Sequence, residues 1–298
     1  MSAIVVLGSA NLDVVVRQQR LPRAGETIFG RDLVTTPGGK GLNQAVAAAL
    51  AGGDVGFVGA VGDDASGRQL RSQLESHGVD VTGLVVVDAP TGTALITVLD
   101  DAENAIVVVA GANDVIAELD SVGARLVSSA QYVVAQLERP VALVEQGFRL
   151  ARSQGAVTVL TPAPVDRMDP GLFELVDILI PNAGEARALT GIADEVEAAR
   201  ALSERVGTVV VTRGAQGVVA ARAGEIVADL PARQVRPVDT TGAGDTFAGV
   251  LVARLAAGVE LPDALRSAVI AASLSVTRPG ASSSMPTWAE IEAASRTS

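Results

Sequence analysis

From residue 132 onward the chain alternates short apolar runs with amphipathic stretches, and this rhythm limits the fold more than any other feature of the sequence. Residues 132–135, 157–160, 178–180 and 208–212 are strand-length runs dominated by Val, Ile and Leu. Continuous apolar runs of this length belong to strands covered on both faces. Between them, residues 141–154 have helical spacing and residues 172–175 form a short helical turn. Strands alternating with helices build a parallel sheet with helices on both sides, because each crossover must run over one face in the right-handed sense. Residues 4–7, and residues 55–61 followed by a helical pattern over 66–77, extend the scheme toward the N-terminus. The expected fold class is α/β, a doubly wound, mostly parallel sheet flanked by helices. No linker, repeat or low-complexity run divides the chain, so 1–298 reads as a single domain.

Two segments break the rhythm. Residues 14–36 hold short apolar pieces separated by Pro22, Gly25 and Gly30, which read as short strands outside the main sheet. Residues 85–87, 94–99 and 105–109 read as further strands that pair with the first set, with a turn over 100–104. Ligands of open α/β sheets gather beyond the carboxyl ends of the strands. Polar residues stand there: Asn11 and Asp13 follow the run 4–7, Glu138 follows 132–135, and Asn182 follows 178–180.

The stretch Asp239-Thr240-Thr241-Gly242-Ala243-Gly244-Asp245 leads into Phe247, Val250, Leu251 and Leu255, whose spacing predicts a helix starting near Asp245. Gly242 and Gly244 allow backbone angles and close approaches that other residues resist. The free amides of a first helical turn, with the helix dipole, hold an anion. A carboxylate beside a phosphate-sized anion hole suits a base that orients a hydroxyl for attack on phosphorus. Taken alone, Gly-x-Gly-Asp before a helix is more often just a turn with Asp as N-cap. A second glycine-rich turn, Thr36-Pro37-Gly38-Gly39-Lys40-Gly41-Leu42-Asn43-Gln44, precedes an alanine-rich helix. It lacks the spacing of a P-loop, yet it presents a cation, Lys40, and an amide, Asn43.

Charge and composition narrow the partners. A formal net charge of −11 argues against nucleic acid and anionic membrane. An anionic substrate must then be held by helix N-termini, a few cations and metal ions. With no cysteine and one histidine, His77, thiolate zinc sites, cysteine nucleophiles and histidine metal clusters are excluded. His77 ends a helical pattern beside Gly78 and reads as structural. The start lacks the basic residues of a signal peptide, and no run of about 20 apolar residues occurs, so a cytoplasmic protein is expected.

Together, the turn 239–249, the turn 36–44 with Gly59-Ala60-Val61-Gly62-Asp63-Asp64 after it, and Pro181-Asn182-Ala183-Gly184-Glu185 between them resemble the signatures of the ribokinase-like carbohydrate kinases, the phosphofructokinase-B family. The resemblance runs from Gly8-Ser9 to Met285-Pro286. It implies that Asp245 is the catalytic base and that the amides of Gly242, Ala243 and Gly244 form the anion hole. It places Asn11, Asp13, Gly39, Lys40, Asn43 and Glu138 around a sugar. Asn182, Thr212, Gly214, Gly217 and Gly244 would meet ATP, and Glu185 would organise Mg²⁺. Asp239, Thr241, Ser275, Arg278, Gly280 and Ser284 would enclose K⁺, largely through carbonyl oxygens. Arg213 faces either phosphate or solvent.

The resemblance further implies a β-sheet lid from insertions at about 14–36 and 85–109, which covers the sugar and pairs two protomers. Gln136-Leu137-Glu138, Ala110-Gly111-Ala112-Asn113 and Thr161-Pro162-Ala163-Pro164 are closest to the ribokinase branch, with Thr161 standing where Asn is common. The function expected is phosphorylation of D-ribose at its 5-hydroxyl by ATP. The alternatives are a kinase of the same family acting on a nucleoside, deoxyribose or a hexose, and a non-catalytic sugar-binding regulator. The intact base and anion hole argue against the last.

Overall fold

The computed structural model describes residues 2–99 and 104–296. In chain order its strands begin with β1 (Ile4–Leu7), β2 (Asn11–Gln18), β3 (Asp32–Gly38), β4 (Val55–Gly62), β5 (Asp80–Val87), β6 (Gly92–Leu99) and β7 (Asn104–Val109). The second half adds β8 (Tyr132–Ala135), β9 (Val157–Leu160), β10 (Ile178–Leu179), β11 (Thr208–Thr212), β12 (Val218–Arg222) and β13 (Glu225–Leu230). Among the described residues, nine strands form one sheet in the order β13-β12-β11-β10-β9-β8-β1-β4-β5. All pairs from β11 to β5 are parallel, and β12 and β13 are added antiparallel at one edge.

The alternation of sequence explains the layers. In β1, Ile4 and Val6 face one hydrophobic cluster with Leu42, Leu70, Leu251 and Leu265, while Val5 and Leu7 face another with Leu143, Phe148, Leu172 and Leu202. All four β1 residues are buried, as expected of a strand covered on both sides. After β1 the chain builds outward through β4 and β5, then returns to build β8 to β11 on the other side. The sheet order therefore reverses between β1 and β8, the place where such sheets open a crevice at the strands' carboxyl ends.

The remaining four strands form a separate sheet, β3-β2-β6-β7. This is the expected lid, with two corrections. Residues 85–87 do not belong to it. They finish β5, where Val85 and Val86 pair with Ala60 and Val61 of β4, because the strand from Asp80 runs on along the main sheet past one register shift near Val58. Asn11 and Asp13, which follow the run 4–7, already belong to the lid, although that segment was expected to begin at about 14. They open β2, which pairs from Asn11 onward with Gly38 of β3 and Gly92 of β6. One continuous strand thus carries sugar-site candidates at its start and lid at its end. The turn expected at 100–104 falls at 100–103 outside the described residues. His77 caps the helix Ala65–Ser76 with Nδ1 2.8 Å from the Gln73 carbonyl oxygen, a structural role.

Candidate active site

The helix Ala243–Ala256 begins at Ala243, two residues before the position its apolar spacing indicated. Gly242 is the N-cap with φ 73°, and a Cβ there would lie 3.1 Å from the Ala281 Cβ. Only glycine takes that left-handed geometry without strain, and it turns the chain straight into the helix. The first-turn amides are consequently those of Ala243, Gly244 and Asp245. The Ala243 N–H donates a long bond of 3.3 Å to the Thr240 carbonyl, whereas those of Gly242, Gly244 and Asp245 have no backbone partner among the described residues. Of the three amides expected to hold an anion, those of Gly242 and Gly244 are open and that of Ala243 is turned to Thr240, while the open Asp245 amide is one that the sequence pattern did not single out. A Cβ at Gly244 would meet no atom within 4 Å, so open space lies before this turn.

Asp245 is 8% exposed, and both carboxylate oxygens are held by the helix Lys40–Leu50. Asn43 Nδ2 donates to Oδ2 at 3.1 Å, and Gln44 Nε2 donates to Oδ1 at 3.0 Å. Burial pushes the Asp245 carboxyl above its ordinary range. Lys40 and the two amides pull the other way, and Glu138 adds to the rise. Lys40 responds in kind, since the Asp245 charge holds its ammonium above the usual value against the opposing effect of burial. A buried, unpaired carboxylate would be a costly way to fill a core. A carboxylate shifted in this direction is suited to accept a proton.

The other polar candidates converge on the same crevice. Glu138 Oε2 accepts from the Ser9 hydroxyl at 2.5 Å and from the Lys40 amide at 3.1 Å, which locks the segment after β8 to the second glycine turn. Gly39 is the N-cap of the Lys40–Leu50 helix. Asn11 is buried, and its Oδ1 accepts from Asn113 Nδ2 at 2.8 Å. Asp13 is 9% exposed, and its pKa is raised to about 7 by burial first and then by the charges of Glu138 and Asp245. A Cβ at Gly38 would fall 2.1 Å from Asp13 Oδ2, so β3 packs against this carboxylate only because residue 38 is glycine.

Two adjoining cavities meet at the helix start. One of about 200 Å³ is lined by Lys40, Asn182, Glu185, Gly242, Gly244 and Asp245 among others. Asn182 and Glu185 form a reciprocal capping box: Glu185 Oε2 accepts from the Asn182 amide at 2.9 Å, and Asn182 Oδ1 from the Glu185 amide at 2.8 Å. Burial raises the Glu185 pKa, with Lys40 opposing. The second cavity, about 280 Å³ and mainly apolar, is lined by Thr212, Gly214, Gly217, Phe247, Val269 and Val276 with their neighbours. Its size and apolar walls fit a planar base. Arg213 does not line it. The guanidinium pairs with Asp229 on β13, which answers the question left open by the sequence.

Asp239 is a brace. Its Oδ1 accepts from the Thr241 amide at 2.9 Å and the Thr241 hydroxyl at 2.6 Å, and its Oδ2 accepts from the Gly280 amide at 2.9 Å. Burial alone would raise its pKa, but these three donors hold it below the ordinary carboxylate value. The segments that carry Thr241 and Gly280 are thereby joined beside the anion hole. Arg278 pairs with Glu290 at 2.5 Å, and Ser275 and Ser284 are buried.

Several residues of the site went unassigned in the sequence. Ser9 sits between the two turns, its hydroxyl donating to Glu138 and accepting from the Gly41 amide. Asn113 accepts from the Ala10 amide and donates to Asn11. Thr161 keeps a role despite its short side chain, accepting from Gln44 Nε2 at 3.2 Å. Asn113 and Thr161 fall in motifs that the sequence did single out, but their partners, like those of Ser9, lie about 30 to 130 residues away and no local pattern names them.

The profile of the pfkB family carbohydrate kinases matches residues 1–288. The chain belongs to this family. It is a phosphotransferase acting on a hydroxyl group, with the α/β fold of the family. It is 39% identical to the ribokinase of Bacillus subtilis over 98% of this chain and 99% of that one. It is 37% identical to the ribokinase of Haemophilus influenzae over 96% of both. Its structure is similar to that of Arabidopsis thaliana ribokinase complexed with ribose and ATP, with a TM-score of 0.93 at 32% identity, covering 98% of each chain.

Proposed function

We propose that this kinase transfers the γ-phosphoryl group of ATP to the 5-hydroxyl of D-ribose, giving ribose 5-phosphate and ADP. The observation that carries the reading is the position of Asp245. Its buried carboxylate stands in the first turn of a helix with open amides, between a hydroxyl-matching set of side chains and an apolar cavity of nucleotide size. The ribokinase relatives, one of them complexed with ribose and ATP, support the choice of substrates.

Asn11, Asp13, Lys40, Asn43 and Glu138 supply the donors and acceptors that a pentose needs, and the Gly39 backbone approaches between them. A site built to bond a hydroxyl rejects analogues that lack it, because buried partners are left unpaired. Asp245 takes the proton of the 5-hydroxyl as the new O–P bond forms and the bond to the β-phosphate oxygen breaks. The amides of Gly242, Gly244 and Asp245 face the charge that develops on the transferring group and on the β-phosphate. Asn182, Thr212, Gly214 and Gly217 line the path of the nucleotide.

Among the described residues no three acidic, histidine or cysteine side chains gather closely enough to hold a metal alone. That fits Mg²⁺, which is commonly held by one or two carboxylates together with substrate phosphates. Glu185 would hold it, since only its Oε2 is engaged in the capping box. When bound, the ion neutralises phosphate charge. K⁺ fits between the segment Asp239 to Thr241 and the loop from Ser275 to Ser284. Among the described residues Asp239 Oδ2 accepts a single hydrogen bond, from the Gly280 amide, which leaves it able to face a cation. A cation there supplies a fixed positive charge that steadies the Gly242 turn.

The lid exposes Leu33, Leu95, Ile106, Val107, Val108 and Val109, each between 48% and 63% accessible. Such a patch on exposed strands calls for a cover. A second copy of the lid supplies it, giving a homodimer. No described helix is long and apolar enough to cross a membrane, and we place the enzyme in the cytoplasm. The deciding assay measures ADP release with ribose, 2-deoxyribose, fructose and adenosine side by side. Ribose should give the highest kcat/KM. Preference for adenosine or fructose would overturn the substrate, and silence with every sugar would overturn the activity.

A further inference from the structure

Gln44 and Gln136 are completely buried, and the reaction outlined above uses neither. They meet each other and the base. Gln136 Nε2 donates to Gln44 Oε1 at 2.6 Å, and Gln44 Nε2 donates to Asp245 Oδ1 at 3.0 Å and to Thr161 Oγ1 at 3.2 Å. The chain has a forced direction. An ionised carboxylate only accepts, so Gln44 must present its nitrogen to Asp245. Its carbonyl oxygen then faces Gln136, which must present its nitrogen in turn. Rotating either amide by half a turn would bring two acceptors together in a dry site, with a large desolvation penalty. Linked bonds of this kind polarise one another and favour negative charge at the accepting end.

We propose that Gln44, Gln136 and Thr161 are positioning residues that hold the Asp245 carboxylate in the orientation needed to take the hydroxyl proton. The proposal rests on Asp245 being the base. Asn43 grips Oδ2 from one side and Gln44 grips Oδ1 from the other, so the carboxylate cannot rotate without breaking a bond. Each oxygen accepts one of these bonds and keeps a second lone pair with which to take a hydroxyl proton. Gln136 and Thr161 fix Gln44 itself, one through its oxygen and one through its second N–H. The three residues come from the Lys40–Leu50 helix, the segment after β8 and the segment after β9, so the base is referenced to the strands at the centre of the sheet.

The test is a double-mutant cycle with Gln44→Met and Gln136→Met, reading kcat and the ribose KM for each. Gln136→Met should lower kcat about 10-fold and Gln44→Met up to about 100-fold, the range for a hydrogen bond to a charged group. The ribose KM should stay within about twofold. The double variant should be no slower than Gln44→Met, because Gln136 acts only through Gln44. Wild-type kcat in Gln136→Met, or losses that multiply in the double variant, would overturn the proposal. If Gln136→Met does not fold, Thr161→Val against Thr161→Ser decides. The hydroxyl-bearing serine should restore turnover that valine loses, and equal turnover of the two refutes the role. Asp245→Asn separates the levels: full activity there removes the base itself, while an inactive Asp245→Asn beside normal glutamine variants removes only the positioning.

Discussion

Asn43 Nδ2 lies 3.1 Å from Asp245 Oδ2, although 202 positions separate the two residues in the chain. Each opens a helix after its own glycine turn, and the two helices pack on the same face of the sheet. The contact places the two glycine turns against one carboxylate.

Asp245→Asn keeps the size of the side chain and removes its ability to take a proton. We expect kcat to fall at least about 100-fold, the scale of general-base assistance, with ribose affinity by calorimetry largely retained. Near-normal turnover in a folded variant would refute the assignment.

Asp13 makes the sugar site pH-dependent. In the folded protein its pKa is raised from 3.8 to about 7. Between those values the folded chain holds a proton that the unfolded chain has lost, so the contribution of Asp13 to stability falls as pH rises from about 4 to about 7. Without sugar, Asp13→Asn should therefore melt several degrees above wild type at pH 8, up to about 4 kcal/mol, and match it near pH 4. With sugar the sense reverses: the wild-type ribose KM should fall as pH rises from 6 to 8, and Asp13→Ala should lose about 2–4 kcal/mol in kcat/KM. A wild-type KM flat across that range would contradict this account.

The two glycines of the anion hole should separate stability from turnover. Gly242→Ala forces a side chain into a left-handed backbone against Ala281, so the melting temperature should drop, by roughly 1–2 kcal/mol in stability. Gly244→Ala meets no protein atom. It should keep the melting temperature and lose kcat and ATP affinity, because the methyl occupies phosphate space. Thermal melts and steady-state kinetics on the pair check both halves.

The brace at Asp239 predicts a dependence on monovalent cation. Activity should be higher in K⁺ than in Na⁺ and should collapse when a bulky organic cation replaces both. Asp239→Ala should abolish the difference. Unchanged rates across the three salts would remove the cation from the site.

The lid predicts an oligomer. Light scattering at micromolar concentration should report a dimer, and Val107→Lys, on an exposed lid strand, should shift it to monomer. A monomeric wild type, with and without ribose, would leave the lid without its proposed partner.

The strand rhythm from residue 132 and the two glycine turns were legible because they obey local rules. Apolar runs covered on both faces read the same in any parallel sheet, and a glycine that must adopt a left-handed angle marks itself. The same rules misread the edges. Val85–Val87 looks like a lid strand when taken in threes, yet it completes β5 because its neighbours from Asp80 already pair with β4. Asn11 and Asp13 precede the segment expected to form the lid, yet they open β2, since cross-strand bonds to β3 and β6 outweigh the local break at Gly8-Ser9.

The sequence by itself determined the α/β class and the two glycine turns that open helices, because these depend on spacing of a few residues. Only the tertiary structure decided which amides of the Gly242 turn are left without a backbone partner, where Arg213 goes, and how Gln44, Gln136 and Thr161 reach Asp245. Those outcomes depend on donors and acceptors buried together from distant parts of the chain. In a dry interior every such group must find a partner, and the partner is set by the packing of the sheet and its helices rather than by distance along the sequence.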